Sequence, residues 1–473
     1  MKNNINFLKD FLHLLDDEGV KYVSWKNNHE LSESLAGNKD LDILVDGHKK
    51  HLFLELLKKN SWAECKNPVA HFDHIHHFYN VFDSNIYHLH IYFEVITGES
   101  WIKEFNLPFK EFILQNRVKN NDHDIWTLNN KSQAYMFLIR HFLKTGSIFS
   151  RILYSIEIDS YKQEWLSCNE NLDDLKSYGP IQLGNFVYMS GLEKDFMKPS
   201  FLSSFRVRQI FFQYLRINRN LLFLYRLKSF IKRLFNKLIF KKKKLISNKG
   251  LIIAISGPDG SGKTSIIKKL NSELSKHISC DVFSLGKPQN IFLERVRLLL
   301  RKITSKKKKI SDSSGIKGTS TIKAFLALFL SILRLRMAKR AELKASHGYL
   351  VLVDRWPTKS FGKMDSAKII ITSLSNGLLR YLCRQEKRIY ESMPKADVCI
   401  FLNVSVNTAI SRNNERQKED KESKDEIIKR HTNNQDVLPI AKKVINFNND
   451  GELKNSLNDV KKIIFAEIST AQD

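Results

Sequence analysis

Residues 257–264 read Gly-Pro-Asp-Gly-Ser-Gly-Lys-Thr, and Ser265 follows. The spacing is GxxxxGK[ST]. Glycines at these positions let backbone N–H groups converge on phosphate oxygens, and the helix start adds a positive dipole. Lys263 is spaced to reach β- and γ-phosphates, and the Thr264 hydroxyl to ligate Mg²⁺. The motif follows the apolar run Leu251–Ser256 and opens a helical pattern to about Lys276. That strand–loop–helix context is what the motif requires. The cradle expected to bind ATP is therefore Gly257, Pro258, Asp259, Gly260, Ser261, Gly262, Lys263, Thr264 and Ser265.

Such a loop serves GTPases, motors and small-molecule kinases alike. No NKxD guanine motif is present, which argues against a GTPase. Asp354-Arg355-Trp356 follows a third apolar run and sets a carboxylate and a guanidinium at the same sheet edge. Asp354 is suited to holding Mg²⁺ or orienting an acceptor, and Arg355 to clamping an acceptor phosphate. Arg412, Arg416, Lys418 and Arg430 punctuate a polar helical stretch. Closed over the γ-phosphate, that stretch would neutralise charge in the transition state.

A second group lies near the N-terminus. Asp40 and Asp42 form a DxD pair, which strand alternation places on one face, as a Mg²⁺ site requires. Six of the fifteen histidines fall in residues 71–90, among them His88 and His90 at the same spacing. A mixed site of Asp40, Asp42, His88 and His90 is one reading; loop histidines without a common ligand are the other.

The elements that must position these groups change character along the chain. Residues 5–19, 22–25, 39–45, 48–60 and 87–96 alternate between helical and strand patterns, an α+β unit of about 110 residues. From 111 to 205 the pattern is mainly helical. Residues 206–249 hold fourteen Lys or Arg and no acid, interleaved with aromatic and aliphatic residues. They read as a basic amphipathic helical linker, suited to an anionic membrane surface or to packing on a neighbouring domain. From 250 to 473, strands at 251–256, 280–285, 349–353, 397–404 and 444–447 alternate with helices. That pattern implies a parallel sheet with helices on both faces.

The segment from 250 to about 467 resembles the thymidylate kinase family of P-loop nucleoside monophosphate kinases. The resemblance rests on GPDGSGKTS at 257–265, on Asp354-Arg355, and on Asp397–Asn403 with the following Ala409–Arg416. It implies ATP, Mg²⁺ and γ-phosphoryl transfer to a monophosphate acceptor. Asp259 would help place that acceptor and Arg355 would contact its phosphate. The family's acidic-Pro-Gly element is replaced by Leu285-Gly286-Lys287-Pro288, and 287–345 is long and basic. The Gly362-Lys363-Met364-Asp365 stretch resembles thymidylate kinase-like proteins of bacterial surface polysaccharide synthesis, so a glycan or lipid-linked acceptor joins the nucleotide acceptors. Residues 5–45 and 85–98 resemble the nucleotidyltransferase fold. There the opening Gly-Ser is replaced by Ser24-Trp25-Lys26-Asn27-Asn28, and His88-Leu89-His90 stands where a third acid is usual, with Glu94 the nearest acid. Nucleotidyl transfer through the DxD unit, and an ATP-binding scaffold on a membrane, are the rival functions.

Composition sets the bounds. The chain has 473 residues with 42% hydrophobic and 27% charged, a globular composition. Its formal charge of +27 calls for an anionic partner. No recognised reader fold accompanies that charge, so nucleic acid is not the expected partner. Five scattered cysteines without a CxxC pair suggest neither zinc nor disulfides and fit a reducing cytoplasm. Acidic residues in the first helix pattern argue against a signal peptide. The longest apolar run, Ala324–Leu333, is too short to span a bilayer. A cytoplasmic protein, peripheral to the membrane's inner face if the linker binds there, is expected. The oligomeric state is left open, a homodimer included.

Overall fold

The computed structural model describes residues 2–184, 199–258, 260–286, 319–373, 375–414, 424–425, 427–428 and 437–471. The chain forms two compact units, Met1–Lys244 with Phe465–Asp473, and Leu245–Ile464.

The first unit is built on a mixed sheet. Its strands are β1 (Tyr22–Ser24), β2 (Leu41–Val45), β3 (Ala63–Lys66), β4 (Ile75–Phe82), β5 (Asn85–Tyr92), β8 (Arg117–Lys119) and β9 (Trp126–Leu128), with β6 (Val95–Thr97) and β7 (Phe105–Leu107) forming a separate hairpin. The order is β3-β4-β5-β2-β1-β9-β8. β2 runs parallel to β5 with Asp42 opposite His90, and β1 runs parallel to β9. Alternation along β2 explains the two cores. Leu41, Ile43 and Val45 meet α1 (Lys2–Asp17), through Leu8, Leu12 and Leu15, and α3 (Lys50–Lys59). Leu44 faces α5 (Asn130–Lys144), whose residues from Ser132 to Leu143 are all buried. Between these in the chain lie α2 (Leu31–Leu35) and α4 (Lys110–Gln115).

Two expectations meet a different arrangement. The sheet takes in β8 and β9, so the α+β part runs beyond residue 110. His76 and His77 lie on β4, not in a loop. Residues 206–249 are largely helical and pack in part on the first unit. After α6 (Ile148–Ile156), α7 (Ile158–Cys168) and α8 (Leu172–Leu175), helix α9 (Phe201–Phe211) buries Val207 and Phe211 in the core of the first unit. Helix α10 (Leu222–Phe235) lies against the same unit.

After β10 (Leu245–Ile246), the second unit is a five-stranded sheet in the order β12-β13-β11-β14-β15. The strands are β11 (Ile252–Ser256), β12 (Cys280–Ser284), β13 (Leu350–Asp354), β14 (Ala396–Asn403) and β15 (Ala441–Asn448), all parallel. Their interior strands are apolar over most of their length because both faces are covered. Helix α11 (Lys263–Leu274) buries Ile266, Ile267 and Leu270. Helix α12 (Thr321–Ser346) offers Ala338, Ala341 and Ala345, small enough for close approach, to Ala254, Val351 and Val353. Helices α13 (Gly377–Glu391), α14 (Val406–Asn414) and α15 (Leu453–Thr470) follow. β11 has β13 on one side and β14 on the other. Its carboxyl end is therefore the switch point at which open α/β sheets bind ligands. Among the described residues, no helix is long and apolar enough to cross a membrane.

Candidate functional site

The phosphate loop leaves the carboxyl end of β11 and enters α11 at Lys263. Gly262 holds φ +87°, and a Cβ there would lie 2.8 Å from Asn449 Nδ2. A Cβ on Gly257 would lie 2.5 Å from the Leu402 carbonyl oxygen. Both positions demand glycine, and the backbone cradle fits a triphosphate. The Lys263 ammonium is buried and donates to the carbonyls of Gly257 (2.9 Å) and Pro258 (2.7 Å), across the mouth of the loop. Thr264 and Ser265 stand exposed in the first turn. Asn449, just past β15, donates from Nδ2 to the Ser261 carbonyl at 2.7 Å. Arg412 on α14 donates to the Asn449 carbonyl at 2.8 Å. The loop is thus braced from the far end of the sheet. Asp259 and Arg416, and with them Lys418 and Arg430, lie outside the described residues.

Asp354 ends β13 in register with Ile255 of β11. The next two residues are hydrogen-bonded to the end of β11: Arg355 N–H donates to the Ile255 carbonyl (3.1 Å) and Trp356 N–H to Ser256 Oγ (3.2 Å). Arg355 has φ +66°, a left-handed conformation costly for a non-glycine residue. The turn aims its guanidinium across the sheet edge, where it lies 3.9 Å from the buried Asp365 carboxylate. Asp365 Oδ1 is 3.2 Å from Arg334 of α12. Arg334 also donates to Tyr390 Oη (2.7 Å) and to the Leu285 carbonyl (3.0 Å) at the end of β12. Two guanidiniums flank one buried carboxylate and make a charged corner at the carboxyl edge of the sheet.

Arg334, Tyr390 and Asn449 were not legible as site residues. Each lies on a separate element and none belongs to a motif. The available signals were slight: an arginine directly after the apolar run 324–333, and an asparagine directly after the last strand.

In the first unit the DxD pair is taken up by the protein itself. Asp40 Oδ1 is 2.7 Å from His88 Nδ1, and Asp42 Oδ1 is 2.7 Å from His90 Nδ1 and 2.9 Å from the Lys26 ammonium. Asp42 Oδ2 accepts from Asn27 Nδ2 at 3.0 Å. His77 bridges His88 Nε2 (3.1 Å) and the Lys244 ammonium (3.0 Å). Lys26 and Lys103 both donate to Tyr92 Oη, at 2.7 and 2.8 Å. Burial pulls Lys26 and Lys103 below the ordinary lysine range and Lys244 down to about 8, with Asp42 or Asp40 opposing. Burial likewise holds His90 well below the usual histidine value, helped by the nearby lysines.

Among the described residues, no group of three or more His, Cys, Asp or Glu is placed to hold a metal ion. Asp40 is paired with His88 and Asp42 with His90 and Lys26. Asp42 needs counter-charge because it is buried, and Lys26 supplies it. Glu94 pairs with Lys110 at 3.1 Å, His76 pairs with Glu64 at 2.8 Å, and His71 and His74 are exposed.

The sequence model of the KAP family P-loop domain matches residues 228–446. The C-terminal half carries a P-loop NTPase domain. Two curated relatives match about a third of the chain. The uncharacterized ATP-binding protein YghS of Escherichia coli (strain K12) is 25% identical over 177 residues, 35% of this chain and 74% of its own. The thymidylate kinase of Clostridium novyi (strain NT) is 26% identical over 174 residues, 36% of this chain and 75% of its own. Among solved structures, thymidylate kinase from Candida albicans aligns over 46% of this chain and 91% of its own, at 16% identity and a TM-score of 0.27. Deoxyadenosine kinase from M. mycoides with bound dATP aligns over 44% and 97%, at 17% identity and a TM-score of 0.27.

Proposed function

We propose that the chain is an ATP-dependent kinase that transfers the γ-phosphoryl group to a nucleotide or to a phosphorylated glycan or lipid-linked acceptor. The observation that carries this reading is the Arg355–Asp365–Arg334 corner at the carboxyl edge of the sheet, hydrogen-bonded to the residues that lead into the phosphate loop. A GTPase or motor needs no second anion site there; a kinase needs one for its acceptor.

The loop amides and Lys263 would bind the triphosphate, with Lys263 leaving the carbonyls of Gly257 and Pro258 for the β- and γ-phosphates. Thr264 and Asp354 would hold Mg²⁺, which when bound neutralises phosphate charge. Arg355, and Arg334 behind it, would fix the acceptor's own phosphate so that its free oxygen lies in line with the γ-phosphorus. A bond forms from that oxygen to phosphorus while the bond to the β–γ bridging oxygen breaks, and ADP leaves. Asp259 is proposed to orient the acceptor, and Arg412 and Arg416 to screen the charge developing on the transferred group.

The test is label transfer from γ-labelled ATP with Mg²⁺ by wild type and Lys263→Ala, with thymidine monophosphate and a cell extract as acceptors. Lys263-dependent labelling of an acceptor is expected, and the labelled species names its class. Labelling that survives Lys263→Ala but not Asp40→Ala would instead move the chemistry to the first unit. Hydrolysis of ATP with no labelled acceptor would sink the kinase reading.

A further inference from the structure

Helix α10 is mounted the opposite way from an ordinary amphipathic surface helix. Leu222, Arg226, Ser229, Phe230 and Arg233 recur at helical spacing and face the body of the first unit. Arg226 pairs with Glu99, Ser229 Oγ donates to the Trp101 carbonyl (2.9 Å), and Arg233 donates to the Ser100 carbonyl (3.0 Å). The polar anchors are therefore inside. The adjoining stripe, Phe223, Leu227, Ile231, Leu234 and Leu238, is exposed, Phe223 at 71%. A helix that only needed water on its outer face would turn this stripe inward.

Two further features extend the apolar surface. Phe230 stacks on Phe149 of α6 with ring centroids 4.6 Å apart, and α6 adds the exposed Ile148, Ile152 and Ile156. Beside α10 runs a groove of about 550 Å³, lined by Leu224, Leu227, Ile231 and Phe235 with Pro68 and Val69. Lys228, Lys232 and Lys242 also line it. Contiguous apolar surface of this kind, rimmed by charge, marks an interaction face.

The charge selects the occupant. Lys228, Lys232, Lys237 and Lys241 are exposed beside the stripe, and residues 206–249 contain no acid at all. A second copy of the chain would bring the same positive face against this one and be repelled. Nucleic acid would satisfy the lysines and leave the apolar stripe in water. An anionic bilayer satisfies both, with apolar side chains at the boundary of headgroups and acyl chains and ammoniums on lipid phosphates. We propose that α10, with α6 beside it, docks the first unit on the surface of an anionic lipid bilayer.

Flotation of the full chain with vesicles tests this. Vesicles of phosphatidylcholine with phosphatidylglycerol are expected to carry the protein, those of phosphatidylcholine alone at least tenfold less, and salt should release it. Each lysine on such a surface is worth about fivefold in partition, so Lys228→Ala with Lys232→Ala should weaken binding by roughly 25-fold. Phe223→Asp with Ile231→Asp should abolish it. Both pairs are exposed, so an unchanged far-ultraviolet circular dichroism spectrum checks the fold. Leu343→Asp, an exposed apolar residue of α12, should change nothing. Equal binding to neutral vesicles would overturn the proposal. So would a dimer that the Asp variants dissociate without any vesicle binding. Binding to duplex DNA that needs only the lysines, with no flotation, would overturn it as well.

Discussion

At the scale of single residues, the site rests on positions with little tolerance. Gly262 combines a left-handed backbone with a neighbour 2.8 Å from where a Cβ would stand. Gly262→Ala must strain the backbone by about 1–2 kcal/mol or push Asn449 off the Ser261 carbonyl. We expect affinity for a non-hydrolysable ATP analogue to fall at least tenfold, measured by titration calorimetry. Asp365 acts differently, because it holds Arg334 and Arg355 without touching the phosphate loop. Asp365→Asn removes the charge on which both guanidiniums rest. The charged hydrogen bond from Arg334, at 3.2 Å, is worth about 1.5–3 kcal/mol, so kcat/KM for the acceptor should fall roughly tenfold to a hundredfold. The KM for ATP should stay unchanged; an equal loss in both would make Asp365 a general structural support. The phosphate loop was legible because one short segment carries all its requirements. The Arg334–Asp365–Tyr390 corner was not, because its members sit 25 or more residues apart on three elements and meet only after folding.

At the scale of elements, the parallel strands of the second unit were readable because each is a short apolar run buried on both faces. The same logic failed for β4, whose histidines are half-buried and paired within the sheet, and for β9 and the edge strand β8, three residues each. For residues 206–249 composition leaves two readings open, and long-range contacts decide which face is covered. Arg208 of α9 is the decisive contact. Its buried guanidinium lies 2.5 Å from Glu104 and 3.7 Å from Glu99 and donates to the Leu143 carbonyl. Burial, and then the neighbouring Glu104, push the Glu99 carboxyl up, while Arg226 and Arg208 pull it back. Arg208→Met would leave two buried carboxylates with Arg226 alone. Breaking such a pair costs about 3–5 kcal/mol, which urea denaturation would show as a lower midpoint at unchanged slope. Arg208→Lys should recover only part of the loss, since an ammonium lacks the planar fork. If α9 were a loosely attached linker, neither variant would move the midpoint.

At the scale of the whole molecule, titratable groups buried without charge make stability depend on pH, and the two units should differ in this. His141, in the middle of the buried helix α5, bonds through Nδ1 to the Tyr154 hydroxyl. Burial lowers its pKa to about 3, with Arg151 and Lys144 adding to the effect. The folded unit therefore refuses a proton that the unfolded chain accepts below its ordinary value of about 6.5. The stability this group contributes is complete above that value and is lost as pH falls from there toward about 3. Between about pH 6.5 and 5 the loss amounts to about 2 kcal/mol. Five of the six tryptophans, Trp25, Trp62, Trp101, Trp126 and Trp165, belong to the first unit, and only Trp356 to the second. Tryptophan fluorescence during urea denaturation thus reports mainly on the unit that holds His141. We expect its midpoint to fall on acidification. His141→Gln keeps a hydrogen-bonding group but cannot titrate, and it should flatten the dependence by about 1.4 kcal/mol per pH unit over that range. An unchanged slope in the variant would mean that other groups govern the acid sensitivity of the first unit.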